Sequence, residues 1–113
     1  MHEISLAGGI LQVVEQACAR DPFERVTHLR LQAGALAGVE ISALRFALES
    51  LAPGTLLEAA RIDIDEQPGT AWCLHCSQTV PIFSRLDLCP LCEGAPLQPT
   101  GGADLKVVDM RVV

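Results

Sequence analysis

Two pairs of cysteines are the residues of this chain whose types and spacing carry the clearest chemistry. Two residues separate Cys73 from Cys76 and Cys89 from Cys92, and twelve residues lie between the pairs. Thiolates at this spacing converge on one ion, and the second pair completes the tetrahedron that zinc favours. Four thiolates leave no open coordination position, so the spacing predicts a structural Zn(II) site and not a catalytic one.

The cysteines also admit other interpretations. A redox-active C-x-x-C pair is one, but that motif is typical of a βαβ context, which this sequence lacks. An iron–sulfur cluster is another, although its usual cysteine spacings differ. His75 lies inside the first pair, either as a loop residue beside the metal or as a ligand that competes with a cysteine. Cys18 falls on the apolar stripe of a predicted helix and is interpreted as a buried thiol.

The N-terminal residues Met1, His2 and Glu3 form a second group with metal-binding chemistry. The α-amine and the His2 backbone nitrogen can close a five-membered chelate ring, and that nitrogen with imidazole Nδ1 closes a six-membered one. Three nitrogens in one plane suit square-planar Ni(II) or Cu(II), and Glu3 can complete the set through its backbone nitrogen or its carboxylate. The alternative is an ordinary helix start, with Glu3 near the positive end of the helix dipole.

The composition sets limits on the class of protein. The chain has 113 residues and a formal net charge of −6; half of its residues are hydrophobic but only 4% are aromatic. This predicts a folded protein with a mostly aliphatic core. The acidic balance argues against non-specific nucleic-acid binding, which requires clustered Lys and Arg. Without an apolar span or a secretory signal, the five cysteines predict free or metal-bound thiols in the cytoplasm.

Hydrophobic periodicity predicts two helices and three strands. The predicted elements are a helix over 4–20, a strand over 26–33, a helix over 40–51, a strand over 61–65 and a strand over 105–113. Close packing is the expected reason for Gly8 and Gly9 in the first helix, and His28 is interpreted as a surface residue. The expected fold class is α+β, with two helices packed on a small three-stranded sheet and an inserted zinc-ribbon-like module of four cysteines.

The sequence as a whole resembles one family, the hydrogenase maturation nickel metallochaperones (HypA/HybF). The resemblance is carried by the N-terminal tripeptide, the order of helices and strands, and the late cysteine pairs. Further matching stretches are 25–27, 34–40, 44–47 and 105–110. The expected domains are a nickel-binding α/β domain over 1–68 and 103–113 and a zinc-binding domain over 69–102.

The resemblance implies a binding protein and not an enzyme. It implies that Met1, His2 and Glu3 bind Ni(II) as cargo for the nickel–iron hydrogenase large subunit, with Glu40 at an acidic position near this site. The structural zinc would be held by Cys73, Cys76, Cys89 and Cys92. The implied partners are a GTPase nickel-insertion accessory protein, the hydrogenase large-subunit precursor and, in some members, urease maturation factors. Nucleic acid and membrane are not among them, and a weak homodimer stays open.

Two other hypotheses remain at this point. The first is a zinc-ribbon adaptor that binds nucleic acid or transcription machinery, although Arg85 is the only basic residue between the cysteine pairs. The second is a structural zinc subunit in which the N-terminal tripeptide has no metal-binding role.

Overall fold

The computed structural model describes residues 2–94 and 97–113, which form helices and small sheets. In chain order the elements are α1 (His2–Arg20), β1 (Val26–Gly34), α2 (Ile41–Leu51), β2 (Arg61–Gln67), β3 (Gly69–Cys73), β4 (Gln78–Ile82), β5 (Leu97–Gly101) and β6 (Leu105–Val112). One sheet has the order β2-β1-β6 and the other β4-β3-β5. The α+β class is therefore confirmed, and the cysteine segment is inserted between two strands of one sheet.

The described chain divides into two compact units. Unit 1 comprises the residues up to Leu31 together with Val39–Asp65 and Val107–Val113, and unit 2 comprises Gln32–Gly38 and Glu66–Lys106. The division falls inside β1, β2 and β6, so these strands contribute residues to both units. The expected division into a domain over 1–68 and 103–113 and a zinc-binding domain over 69–102 stays a prediction.

Unit 1 is built on aliphatic packing between its helices and strands. The buried residues of α1 recur at helical spacing, and α2 likewise buries one stripe. In β1 both leucines are buried while Arg30 between them is exposed, as the alternation predicts for a half-buried strand. The buried side chains of these elements are Ala7, Ile10, Val14, Val26, Leu29, Leu31, Leu44, Ala47 and Leu48.

The two glycines of α1 do not have the packing role expected from the sequence. Both Gly8 and Gly9 are exposed, and a Cβ added to either would meet nothing within 4 Å. The expectation of close packing is therefore wrong. Each glycine lowers the helix propensity of α1 with no compensating contact inside the described chain.

A close crossing of glycine backbones lies in unit 2. A Cβ on Gly34 would lie 2.0 Å from the carbonyl oxygen of Gly102, and one on Gly102 would lie 2.4 Å from Cα of Gly69. Gly102 also has φ +92°, a conformation that side-chain-bearing residues rarely adopt. Hydrogen bonds from Gly34 N to Asp104 O (2.8 Å) and from Leu36 N to Gly102 O (2.9 Å) fix the crossing. The chain can enter and leave the cysteine segment at such close approach only because these positions lack side chains.

We expect alanine to have opposite effects at two of these glycines. Gly34→Ala should lower the free energy of unfolding by about 1–3 kcal/mol, because its Cβ overlaps backbone that cannot rotate away. Gly8→Ala, the matched control in open space, should raise it by about 0.5–1 kcal/mol. Urea unfolding followed by circular dichroism measures both. Equal effects of the two substitutions would contradict the steric account.

Candidate metal centres

The four cysteines are presented by two turns of similar construction, which we call the first knuckle (73–76) and the second knuckle (89–92). The residue after each knuckle has a positive φ, 52° at Ser77 and 58° at Glu93. Its N–H donates to the carbonyl oxygen of the first cysteine of its knuckle, from Ser77 to Cys73 at 2.9 Å and from Glu93 to Cys89 at 2.8 Å. Each knuckle therefore closes on itself and turns its two sulfurs toward the same point.

Strand pairing brings the two knuckles together in unit 2. The first knuckle begins at Cys73, the last residue of β3, and leads into β4, which pairs antiparallel with β3. Strand β5, which follows the second knuckle, pairs with the other edge of β3 and places Leu97 opposite Cys73. The cysteines of the second knuckle are thereby returned to those of the first.

The sulfur atoms have the spacing that a zinc ion requires. All four lie within 4.8 Å of one another, with 3.7 Å between the sulfurs of Cys73 and Cys92 and 4.0 Å between those of Cys76 and Cys89. A tetrahedron with Zn–S bonds of about 2.3 Å has sulfurs about 3.8 Å apart. The site therefore fits a tetrahedral metal ion with little rearrangement, and it joins the four cysteines expected from the sequence.

The cysteine thiols of the cluster differ in pKa. Burial opposes ionisation of Cys89, but N–H groups of Cys92 and Leu91 hydrogen-bond its sulfur and lower its pKa to about 7. At Cys76 burial acts first, hydrogen bonds with the other three thiols act in the same direction, and the pKa is raised to about 12. An incoming ion therefore finds one sulfur ready as a thiolate and must displace protons from the cluster.

His75 and Cys18, the two other residues that the sequence analysis considered beside the cysteine pairs, are not part of the sulfur cluster. In the described part of the chain, the group of potential ligands at this site consists of cysteines, and His75 is exposed outside it. Cys18 is half-buried, whereas the sequence predicted a buried thiol, and it donates a hydrogen bond to the Phe23 carbonyl oxygen at 3.2 Å.

The second candidate centre is the N-terminal site of unit 1. Met1 lies outside the described residues, and α1 begins at His2. The first four N–H groups of a helix have no acceptor within the helix, so the backbone nitrogens of His2 and Glu3 are not needed for helical hydrogen bonds. The His2 side chain is 61% exposed, and its Nδ1 lies 3.8 Å from Oε2 of Glu3.

The side chain of Glu3 joins the N-terminal ends of the two helices. Its Oε2 accepts a hydrogen bond from the Glu40 backbone N–H at 3.3 Å, which is the main cause of a lowered pKa at Glu3. Glu40 is the N-cap of α2, and its carboxylate accepts from the Ser42 hydroxyl (2.8 Å) and the Ala43 N–H (2.8 Å). These bonds also lower the pKa of Glu40, led by that with Ser42. Two ionised carboxylates thus lie where two helix N-termini meet.

An ion-pair cluster on the first sheet was not predicted. His28 is half-buried, and its Nε2 lies 2.6 Å from Oδ2 of Asp63, whereas the sequence suggested a plain surface residue. Arg30 makes a bidentate contact with Asp109, with Nη2 to Oδ2 at 2.6 Å. Alternation along β1 and β2 identifies these as polar-face residues, but only the strand order shows which strands are neighbours.

The fold and the site define a class: small α+β metal-binding proteins with a four-cysteine module inserted between strands of a sheet. Comparisons with known proteins identify the family. The model of the family "Hydrogenase/urease nickel incorporation, metallochaperone, hypA" matches residues 1–112. The chain belongs to this HypA family. In the described residues, no helix is both long and apolar enough to cross a membrane.

Individual relatives agree with this assignment. "Hydrogenase maturation factor HypA" of Polaromonas naphthalenivorans is 58% identical over 99% of this chain and 97% of its own length. The protein of the same name from Cupriavidus necator is 57% identical over 99% of this chain and 94% of its own. Among solved structures, that of the Ni metallochaperone HypA from Helicobacter pylori matches with a TM-score of 0.68 at 16% identity, covering 98% of this chain and 97% of that one. That last likeness supports the fold.

Replacing one cysteine of the cluster, and comparing it with replacement of a cysteine outside the cluster, tests whether the four sulfurs bind the metal. Cys89→Ser removes a buried sulfur, so we expect the loss of one equivalent of bound zinc and a lower melting temperature, because a structural metal contributes folding free energy. Cys18→Ser is the matched control and should keep the metal. Elemental analysis and thermal unfolding measure both effects. Full zinc content in Cys89→Ser would contradict the four-sulfur site.

The contact between His28 and Asp63 makes a prediction about pH. The hydrogen bond from His28 lowers the pKa of Asp63 below its ordinary value of 3.8. A carboxylate with a lowered folded-state pKa stabilises above its unfolded pKa, and this contribution is lost as the pH falls through the folded one. Asp63→Asn should therefore be less stable than the parent at pH 7, and the difference should shrink below pH 3.8.

Urea unfolding across this pH range is the measurement. Asp65→Asn, exposed on the same strand, is the control for the general effect of acid and for any loss of metal. A difference between the parent and Asp63→Asn that stays constant with pH would show that the carboxylate charge is not involved.

Proposed function

We propose that this chain binds Ni(II) at its N-terminus and delivers it to the large subunit of a nickel–iron hydrogenase during maturation. Its membership of a hydrogenase/urease nickel-incorporation family supports the cargo. The observation that carries the site is the arrangement around His2, an exposed imidazole on the first turn of α1 beside the Glu3 carboxylate, which in turn accepts a hydrogen bond from the N-cap of α2. The chain acts as a carrier and not as an enzyme.

The proposed nickel ligands are nitrogens of the first turn. The α-amine of Met1, the backbone nitrogen of His2 and its imidazole Nδ1 form two fused chelate rings, which suit square-planar Ni(II). Using backbone nitrogens at a helix start sacrifices no helical hydrogen bond, since these N–H groups have no acceptor in the helix. The exposure of His2 leaves the cargo accessible to an acceptor protein, as delivery requires.

Glu3 has two separable roles in this proposal. Its backbone nitrogen completes the ligand plane, while its carboxylate is engaged by the Glu40 N–H and positions the first turn of α1 against the N-terminus of α2. A helix N-terminus repels a cation, and two of them meet here. The lowered pKa values of Glu3 and Glu40 keep both carboxylates ionised into mild acid, so their charge offsets the two dipoles.

The four cysteines of unit 2 are proposed to hold Zn(II) as a structural ion. A closed set of four thiolates supplies folding free energy and offers no position to a reacting ligand. The two proposed metals are thereby distinguished by their ligands. The cargo nickel is bound by nitrogens at an exposed site, and the structural zinc is bound by sulfurs at a more buried one. The proposed partners are a GTPase nickel-insertion accessory protein, the hydrogenase large-subunit precursor and urease maturation factors, in the cytoplasm.

The nickel site is tested by one substitution and one insertion. His2→Ala removes the imidazole, and a glycine inserted ahead of Met1 displaces the α-amine from the chelate. We expect either change to weaken nickel binding by about 100-fold or more, because each removes a ligand of the plane and one chelate ring. Isothermal titration with Ni(II), on protein that carries no tag, is the measurement.

His75→Ala is the matched control, since it removes an exposed imidazole outside the N-terminal site. It should leave nickel affinity within about twofold of the parent, and all three variants should keep their zinc. Parent-like nickel binding by His2→Ala would overturn the assignment of the site.

A further inference from the structure

Strand β6 forms one edge of the sheet β2-β1-β6. In the part of the chain that the structure describes, β1 pairs with one side of β6 and no strand pairs with the other. Proteins commonly protect such an edge by keeping the strand short or by placing a proline in it. Strand β6 has eight residues and no proline. Its outer backbone N–H and C=O groups are therefore available to a further strand.

A groove opens between β6 and the C-terminal end of α1. It has a volume of about 410 Å³, and its lining includes Ala17 and Arg20 of α1, Phe23, and Met110 and Val112 of β6. All of these residues belong to unit 1. Val112 is 42% exposed even though it lines the groove. A strand added to this edge therefore finds space for apolar side chains on the face that carries α1.

The side chains of β6 alternate between the two faces of the sheet. Met110 and Val112 line the groove beside α1. Asp109 and Arg111 instead line a cavity together with Arg30 of β1. Such alternation with a period of two is the geometry of a strand. The free edge thus presents apolar side chains on one face and one charge of each sign on the other.

The sequence of residues 107–113 is complementary to itself when it is reversed. It reads Val-Val-Asp-Met-Arg-Val-Val, so the two sides of Met110 mirror each other apart from the exchange of Asp109 for Arg111. In an antiparallel pair of two such segments centred on Met110, Asp109 of each lies opposite Arg111 of the other. Methionine meets methionine at the centre, and valine meets valine at the other positions. The segment therefore matches a second copy of itself without a like-charge contact.

The two charged residues are able to make this additional contact. In the described chain the Arg111 guanidinium makes no salt bridge. The Asp109 carboxylate accepts hydrogen bonds from Arg30 through both oxygens, at 3.0 Å to Oδ1 and 2.6 Å to Oδ2. An ionised carboxylate has about four acceptor positions. Arg111 of a second copy can therefore bind Asp109 without displacing Arg30.

We propose that residues 107–113 bind the same residues of a second copy of this chain as antiparallel edge strands, with the two-fold axis at Met110. The two sheets then join into one of six strands, in the order β2-β1-β6-β6-β1-β2. Val108 of one copy lies opposite Val112 of the other, beside the groove that Val112 lines. A two-fold pair of this kind covers the free edge of β6 in both copies at once.

Local charge favours a second copy over other occupants of this edge. Residues 107–113 include one acidic and one basic residue, so the formal net charge of −6 is not concentrated there. Charges more than about 8 Å away are largely screened at physiological salt. Nucleic acid and an anionic membrane both require clustered cations, which the segment lacks. The proposal goes beyond the nickel site, at the other end of α1, and does not depend on it.

Analytical ultracentrifugation of the untagged, zinc-loaded chain measures the association. We expect a reversible dimer with a Kd between about 1 μM and 1 mM, because pairing of one edge strand buries less surface than a permanent interface does. A chain that stays monomeric at about 1 mM would overturn the proposal. Open-ended larger oligomers would also overturn it, since pairing about a two-fold axis closes at two copies.

Two charge-reversal variants test the register. Arg111→Asp and Asp109→Arg each bring like charges together at two places in the proposed pair, so each variant alone should dimerise about tenfold or more weakly than the parent. In an equimolar mixture of the two variants, opposite charges meet again at both places. We therefore expect a heterodimer with an affinity within about fivefold of the parent's, identified by its mass in native mass spectrometry. A mixture that forms no heterodimer would overturn the register.

A further variant guards against a failure of folding. Asp109→Arg also removes the partner of Arg30, so its melting temperature is compared with the parent's. Met110→Lys leaves this salt bridge intact and brings two like charges together at the two-fold axis, so it should weaken the dimer about tenfold or more. Parent-like dimerisation of both Met110→Lys and Arg111→Asp would show that β6 is not the contact.

The matched control is Arg61→Asp, which reverses an exposed arginine on β2, the opposite edge of the same sheet. It should change the Kd of the dimer by less than about twofold. Equal weakening by Arg61→Asp and Arg111→Asp would show that net charge, and not strand pairing, controls association. Nickel titration and zinc content should match the parent in every variant, which distinguishes this result from failure of the nickel site.

Discussion

The convergence of four sulfur atoms is the constraint on which unit 2 depends. Two of the six residues in its buried core are cysteines, and Cys76 and Cys92 pack against that core as partly buried neighbours. A unit of this size buries too little aliphatic surface to hold its loops by packing alone. Metal–sulfur bonds can supply the missing free energy, and the spacing of about 4 Å between paired sulfurs shows that the backbone is arranged for them.

The backbone around the cysteines serves the same constraint. In each knuckle a backbone N–H donates to the first sulfur, from Cys76 to Cys73 and from Leu91 to Cys89, both at 3.4 Å. Such bonds favour the thiolate and so favour metal binding over protonation. The glycine crossing completes the arrangement, because it lets the chain enter and leave the segment at backbone contact distance. The conformation of the inserted module is thus fixed at two places, at the cysteine cluster and at the glycine crossing where the chain enters and leaves it.

The proposed nickel site at the N-terminus has the opposite design. A closed, sulfur-rich site retains its ion, whereas a carrier must release its cargo. In the function proposed for this chain, the exposed imidazole of His2 and the backbone nitrogens of the first helical turn would permit that release. The fold fixes the position of this first turn, because the Glu3 carboxylate accepts a hydrogen bond from the Glu40 N–H and so holds α1 against the N-terminus of α2. Under this proposal, the nitrogen ligands of the N-terminal site and the sulfur ligands of unit 2 belong to different metals.

The sequence alone determined the features that depend on local order. The C-x-x-C spacing predicted the four-sulfur site, periodicity predicted both helices and the three strands of the first sheet, and the likeness of the whole chain indicated the family. Each of these follows from neighbours along the chain, since chelation by a knuckle and burial of a stripe are set within a few residues. The strands β3, β4 and β5 were not predicted, because they are short and take their stability from pairing.

Only the tertiary structure decided which distant residues meet. Glu3 with Glu40, His28 with Asp63 and Gly34 with Gly102 are pairs separated by more than thirty residues, and nothing local to either partner specifies the other. Close packing was likewise misassigned to Gly8, where the helix faces open space, and it is required instead at Gly34. The physical reason is that strand order and helix placement minimise a free energy summed over the whole chain, which no short window of sequence contains.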